Sequence, residues 1–275
     1  MKKLICIIIL FLIPTLSISQ TAEEFYEKGN DALLSKDYDK AIEFFRKSLT
    51  LNPSNNRVIL AIGTAFISKK LPDSAFYYFD LATKIDPNNA TAFASRGAIY
   101  LMRKQFDLSY KDLKQSIFLD STLIIAYNSL ATYYVLMNKA DSALLILNRA
   151  IEIAPSSTDA YYNRATFYGA FDEFEKALED INKVIELAPT VAKGYYTRGT
   201  INRYLGKFDE ALKDFDYAIQ LDPKDGEAYV RRAVCLLKIG KIKEALVDFE
   251  YGYLLEPDLK EQTKEYYEEA LKKRN

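Results

Sequence analysis

Six of the eight prolines, Pro53, Pro87, Pro155, Pro189, Pro223 and Pro257, are separated by 34 residues or a multiple of 34. A fixed period of this size means stacked like units, each too thin to bury an apolar face unless it leans on its neighbours. Ser121 fills the one vacancy in the series, and the other repeated features keep their phase across it. Seven units fit, at 22–55, 56–89, 90–123, 124–157, 158–191, 192–225 and 226–259.

Twelve residues before the proline position stand Ala41, Ala75, Ser109, Ala143, Ala177, Ala211 and Ala245. Twelve residues earlier again come Gly29, Gly63, Gly97, Ala131, Ala165, Gly199 and Ala233. Two small series imply two close contacts. Apolar residues at helical spacing surround both, as in Tyr161, Ala165 and Tyr168, or Ala177, Ile181 and Val184, so each unit reads as two short helices packed at their small residues. Tyr38, Phe106, Phe174 and Phe208 are expected in the turn between the two. Asp39, Asp73, Asp107, Asp141, Glu175 and Asp209 recur at the start of the second helix, where a carboxylate can cap free N–H groups and oppose the helix dipole. Proline, which lacks an N–H and disfavours helix in the residue before it, separates one pair from the next.

These residues resemble the tetratricopeptide repeat, whose pattern runs aromatic, Leu-Gly, Tyr, Ala, Phe and Pro over 34 residues. The second unit shows Gly63, Phe66, Ala75, Phe79, Ala82 and Pro87, and the sixth shows Tyr195, Gly199, Ala211, Phe215, Ala218 and Pro223. The resemblance implies an all-α, right-handed α-solenoid of seven helix-turn-helix units. A C-terminal capping helix at 260–275 follows them, with Thr263, Tyr266, Tyr267, Ala270 and Leu271 on its apolar face and no partner helix. The third unit departs from the pattern at Ser109, Leu113, Ser116 and Ser121, and is expected to be a looser joint.

The N-terminus is read separately. Lys2 and Lys3 precede an apolar run from Leu4 to Leu16, and small Ser17 and Ser19 stand before Gln20. This is the layout of a secretory signal, so 1–19 is expected to be a signal peptide and the protein to be exported, periplasmic or secreted. A retained anchor is the other reading of the same segment.

Composition removes most chemistry. The chain has 37 basic and 38 acidic residues, a formal charge of −1, which gives no long-range attraction to nucleic acid. It has no His and two Cys, so neither a Ser-His-Asp or Cys-His pair nor a Cys/His zinc site can be assembled. Glycine-rich phosphate loops and calcium-loop spacing do not occur. Asp222, Asp225 and Glu227 read as capping residues, and Cys235 as a small buried hydrophobe. No cofactor, metal or catalytic residue is expected.

In the family, one face of each first helix lines a groove that holds peptides or helices of partner proteins. The resemblance places on that face Tyr26 and Asn30, Leu60 and Thr64, Ala94 and Ala98, Asn128 and Thr132, Tyr162 and Thr166, Tyr196 and Thr200, and Val230 and Val234. The candidate partner site is Asn128, Thr132, Tyr162, Thr166, Tyr196 and Thr200, with Lys193, Arg203 and Arg231 supplying positive charge; a solvated face without dominant anchors is the plainer alternative. Arg96, Arg164, Arg198 and Arg232 recur at one register and are expected to snorkel over neighbouring helices. The function implied is a non-catalytic protein-interaction scaffold, with a cell-envelope assembly or secretion factor as the variant reading. A carboxylate-dependent enzyme such as a glycosidase is the alternative of another class.

Overall fold

The computed structural model describes residues 21–274, so the segment 1–19, expected to be a signal peptide, lies outside the described residues. Among these the secondary structure is sixteen α-helices with no strand, and none of the helices is long and apolar enough to cross a membrane. The chain divides into two compact units, Met1–Ala143 and Leu144–Asn275. The first holds α1 (21–34), α2 (Tyr38–Leu51), α3 (Asn56–Ser68), α4 (Pro72–Ile85), α5 (Ala90–Met102), α6 (Phe106–Leu119) and α7 (Ile124–Leu136). Helix α8 (Ala140–Ile153) runs across the division. The second unit continues with α9 (Thr158–Ala170), α10 (Phe174–Leu187), α11 (Ala192–Tyr204), α12 (Phe208–Leu221), α13 (Gly226–Lys238), α14 (Ile242–Leu255), α15 (Leu259–Gln262) and α16 (Lys264–Arg274).

Several helix starts have a local cause. Asn55, Asn89, Ser157 and Asp225 cap α3, α5, α9 and α13, each side chain accepting from the N–H three residues on. The recurrent acids do something else. They lie inside the first turn of the second helices, and the caps of α4, α6, α10 and α12 make no side-chain hydrogen bond, so the expected capping bond is replaced by opposition to the helix dipole. Asp39 and Asp73 also pair with Lys69 and with Arg103 (2.7 Å) at the end of the next repeat's first helix.

The turn inside each repeat has one left-handed residue, and these too recur every 34 positions. Lys36, Lys70, Lys104, Asn138 and Asp172 have φ of 56 to 60°, and Gly206 and Gly240 have 72 and 82°. The first such turn closes with Lys36 N–H donating to Leu33 O (3.0 Å) and Asp37 N–H to Ala32 O (2.8 Å), which satisfies two carbonyls at the helix end. Tyr38, Phe106, Phe174 and Phe208 are not in this turn; each is the first residue of its second helix, because the left-handed residue completes the reversal earlier.

The small residues pack as small against large. Ala41, Ala75, Ala177, Ala211 and Ala245 are fully buried, while Gly29, Gly63, Gly97 and Gly199 of the first helices lie under large side chains sixteen residues on. A Cβ on Gly29 or Gly63 would stand 2.4 Å from the ring of Phe45 or Phe79. The third repeat is tied rather than loose. Ser109 Oγ donates to Gly97 O and Ser116 Oγ to Ala90 O, both at 2.8 Å, and Leu113 fills the space under Gly97.

The arginine series is the largest departure from expectation. Arg96, Arg164, Arg198 and Arg232 do not snorkel; each grips the buried aspartate sixteen residues later with two or more hydrogen bonds, to Asp112, Asp180, Asp214 and Asp248. Each also donates backward sixteen residues, to Asp80, Asn148, Asn182 or Asp216. One guanidinium thus joins the second helices of two successive repeats through the first helix that carries it. Planar fork geometry suits this double contact, which an ammonium could not make in the same way.

The C-terminal cap is two helices and not one. Thr263 breaks it, with φ of −123°, and is buried; its hydroxyl donates to Leu259 O (2.7 Å) and lies 2.9 Å from Tyr253 Oη. Helix α16 has no second helix of its own among the described residues, and its Tyr267 ring packs edge-on against Phe249 and Tyr253 of α14.

Candidate partner-binding face

In the C-terminal unit, Tyr162 is half-buried on α9 and Tyr196 half-buried on α11. Each meets a cation from the next first helix. Lys193 Nζ lies 3.8 Å from the centre of the Tyr162 ring, close enough for a cation–π attraction. Arg231 Nε donates to Tyr196 Oη (3.4 Å), and its Nη2 pairs with Glu227 (2.8 Å). The same motif stands in the N-terminal unit, where Arg57 lies 3.8 Å over the Tyr26 ring and pairs with Glu23.

These contacts set the electrostatics. Burial pushes the Tyr196 hydroxyl up to about 12, so it is a neutral donor and acceptor at ordinary pH. Burial raises the Glu227 carboxyl, but the hydrogen bonds from Arg231 and Tyr196 and the charge of Arg231 together outweigh it and the net direction is down. Arg203 stacks 4.3 Å over the Tyr204 ring, and its buried Nε has no hydrogen-bond partner.

The threonines contribute less than their hydroxyls suggest. Thr166 and Thr200 donate to the carbonyls of Tyr162 and Tyr196, four residues back, both at 2.9 Å. Their protons are taken by their own helix, and the oxygens remain as acceptors. In the N-terminal unit Thr132 does the same toward Asn128 O (3.1 Å), and the buried Asn128 Oδ1 has no hydrogen-bond partner. Ala94, Val230 and Val234, expected on this face, are buried core residues instead.

Sequence reasoning missed the tyrosine–cation pairs, which join positions 31 and 35 residues apart across a repeat boundary. The remaining chemistry is sparse. Cys235 is fully buried and its thiol is pushed up to about 11 by burial, which disfavours the reactive thiolate. No group of three or more carboxylate or cysteine side chains suited to a metal ion occurs among the described residues.

Family profiles of the tetratricopeptide repeat match residues 22–55, 124–157, 158–191, 192–225 and 215–247, more than half of the chain. The chain belongs to the tetratricopeptide repeat family. Among curated proteins it is similar to the heat shock protein STI1 of Saccharomyces cerevisiae, 39% identical over 59 residues, which are 21% of this chain and 10% of that protein. Among solved structures the tetratricopeptide array resembles yeast Tom70, with a TM-score of 0.69 and 23% identity over 92% of this chain and 64% of that one. A tetratricopeptide repeat protein from Parabacteroides merdae gives a TM-score of 0.62 and 18% identity over 92% of this chain and 99% of its own. The Cut9 and Hcn1 hetero-tetramer of APC/C gives a TM-score of 0.69 and 13% identity over 92% of this chain and 47% of the matched one. The chain spans a tenth of the curated relative, and about half to two thirds of Cut9–Hcn1 and Tom70. At these identities the structural likeness is one of fold. Tetratricopeptide repeats typically act as protein-interaction scaffolds.

Proposed function

We propose that this protein is a non-catalytic scaffold that holds an extended segment of another protein along the first-helix face of its C-terminal unit. The observation that carries the reading is the pairing of Tyr162 with Lys193 and of Tyr196 with Arg231, which presents aromatic surface beside positive charge on successive first helices. Rings held in place by their neighbours bury large area at small entropic cost, which makes them natural anchors. The cations favour a segment bearing carboxylates, which would compete with Glu227 for Arg231. Arg203 adds a further guanidinium one turn beyond Thr200.

The apolar segment 4–16 behind Lys2 and Lys3 supports export, and with it a partner in the cell envelope or outside it. A role in envelope assembly or secretion is the form of the proposal that this segment favours.

The test compares the chain with its Tyr162→Ala, Tyr196→Ala double variant against a displayed peptide library. Acidic segments enriched by the parent and lost by the variant, with the helical melt little changed, are the expected result. Equal enrichment by both would remove the assignment.

A further inference from the structure

We propose that a second surface, the edge of the N-terminal unit formed by the turns after α1, α3, α5 and α7, docks on an anionic lipid surface. Two kinds of side chain recur along it. Leu34, Ile67, Met102 and Leu136 stand in the last turns of those four helices and are 83, 39, 64 and 48% exposed. Lys36, Lys70, Lys104 and Lys139 stand in the turns that follow and are all exposed. Among the described residues no ion pair engages these four ammonium groups. The turns are neighbours in space, since Lys69 and Arg103 reach back to Asp39 and Asp73 of the preceding repeat.

The C-terminal unit provides an internal control for the turn's own needs. At the positions matching Leu34 and Lys36 it has Ala170 and Asp172, Tyr204 and Gly206, Lys238 and Gly240, while the second and fourth repeats have Ser68 and Asn138 there, with Ile67 and Lys139 one residue away. Exposed Phe171, Tyr204 and Ile239 show that apolar residues also occur in the C-terminal turns, so the contrast between the units is the lysine at the left-handed position, which folding of the turn does not require. Glycine is also the less strained choice at a left-handed position, yet Lys36, Lys70 and Lys104 occupy it with φ of 57 to 60°. Three lysines at left-handed positions thus answer to no need of the turn itself and are available to a partner.

The partner's chemistry follows from the pair. Ammonium groups on flexible stems attract anionic headgroups, and single aliphatic side chains between them enter the boundary with the acyl chains. Four copies along one edge favour an extended surface over one charged segment. Asp37, Asp107 and Asp141 share this edge and moderate its charge, while Lys69 and Arg103 offset Asp39 and Asp73. This contact is separate from any membrane passage of the N-terminal segment.

The experiment is co-sedimentation of the full chain with vesicles of phosphatidylcholine alone or mixed with phosphatidylserine. The apolar 4–16 segment contributes to both, so the quantity read is the ratio between them. A Lys36→Gly, Lys70→Gly, Lys104→Gly variant is expected to lose at least about tenfold of the preference for phosphatidylserine. Because glycine relieves the left-handed strain, its melting temperature should stay level or rise, which separates lost binding from lost folding. A Leu34→Ser, Met102→Ser, Leu136→Ser variant should weaken binding to the mixed vesicles as well. An unchanged preference in the glycine variant overturns the proposal. So does binding of polyglutamate by the parent without any preference for phosphatidylserine, which would assign the edge to an acidic polypeptide.

Discussion

Arg164 on α9 holds both carboxylate oxygens of Asp180 on α10, through Nε at 2.8 Å and Nη2 at 2.7 Å, while its third nitrogen reaches Asn148 on α8 at 2.7 Å. Asp180 is 4% exposed, so its charge is sustained by this one partner. Removing either member strands the other in a poorly solvated place. Asp180→Ala is expected to cost roughly 3–5 kcal/mol in a denaturant melt. Replacing both by aliphatic residues should cost far less. A double-mutant cycle gives the coupling directly, and additive single effects would contradict the pairing.

Two glycines in first helices should respond in opposite directions. Gly63→Ala puts a Cβ 2.4 Å from the Phe79 ring, and an overpacked contact of this kind costs roughly 1–3 kcal/mol. Gly169 on α9 has open space around the same position, so Gly169→Ala should gain roughly 0.5–1 kcal/mol from helix propensity. Thermal melts of the two variants shifting in the same direction would contradict the packing described.

Tyr196 predicts an alkaline weakness. Its folded pKa is raised to about 12 from the ordinary 10, so the fold favours the neutral phenol. That contribution is complete below pH 10 and is lost as pH rises from 10 through 12. Tyr196→Phe should flatten the decline in stability over that window, and absorbance of the phenolate should show one late-titrating tyrosine missing from the variant. A decline of the same size in both proteins would show that Tyr196 does not cause it.

Much of this architecture was legible in the sequence because the period is built into single residues. Small residues at 29 and 41 and proline at 53 each report a local requirement, and repetition separates them from accident. The arginine contacts were harder, since their partners lie on other helices, but a signal existed. Arg96, Arg164, Arg198 and Arg232 each have Asp sixteen residues later, whereas Ile62 and Leu130 have Tyr78 and Ile146. Comparing units against one another at that offset would have revealed the pair. The left-handed lysines left no trace, because Lys gives no turn signal of the kind that Gly206 and Gly240 give. The tyrosine–cation contacts depend on how successive first helices approach, which no residue reports alone. For the threonines, hydroxyl composition promised donors, and the helix backbone claimed them.

The first-helix face of the C-terminal unit can be tested by photo-cross-linking. A photoreactive residue placed at Thr166 or Thr200 should capture the partner segment, while the same residue at Leu145 or Val247, exposed on second helices, should not. Capture from Leu145 or Val247 with none from Thr166 and Thr200 would contradict the account.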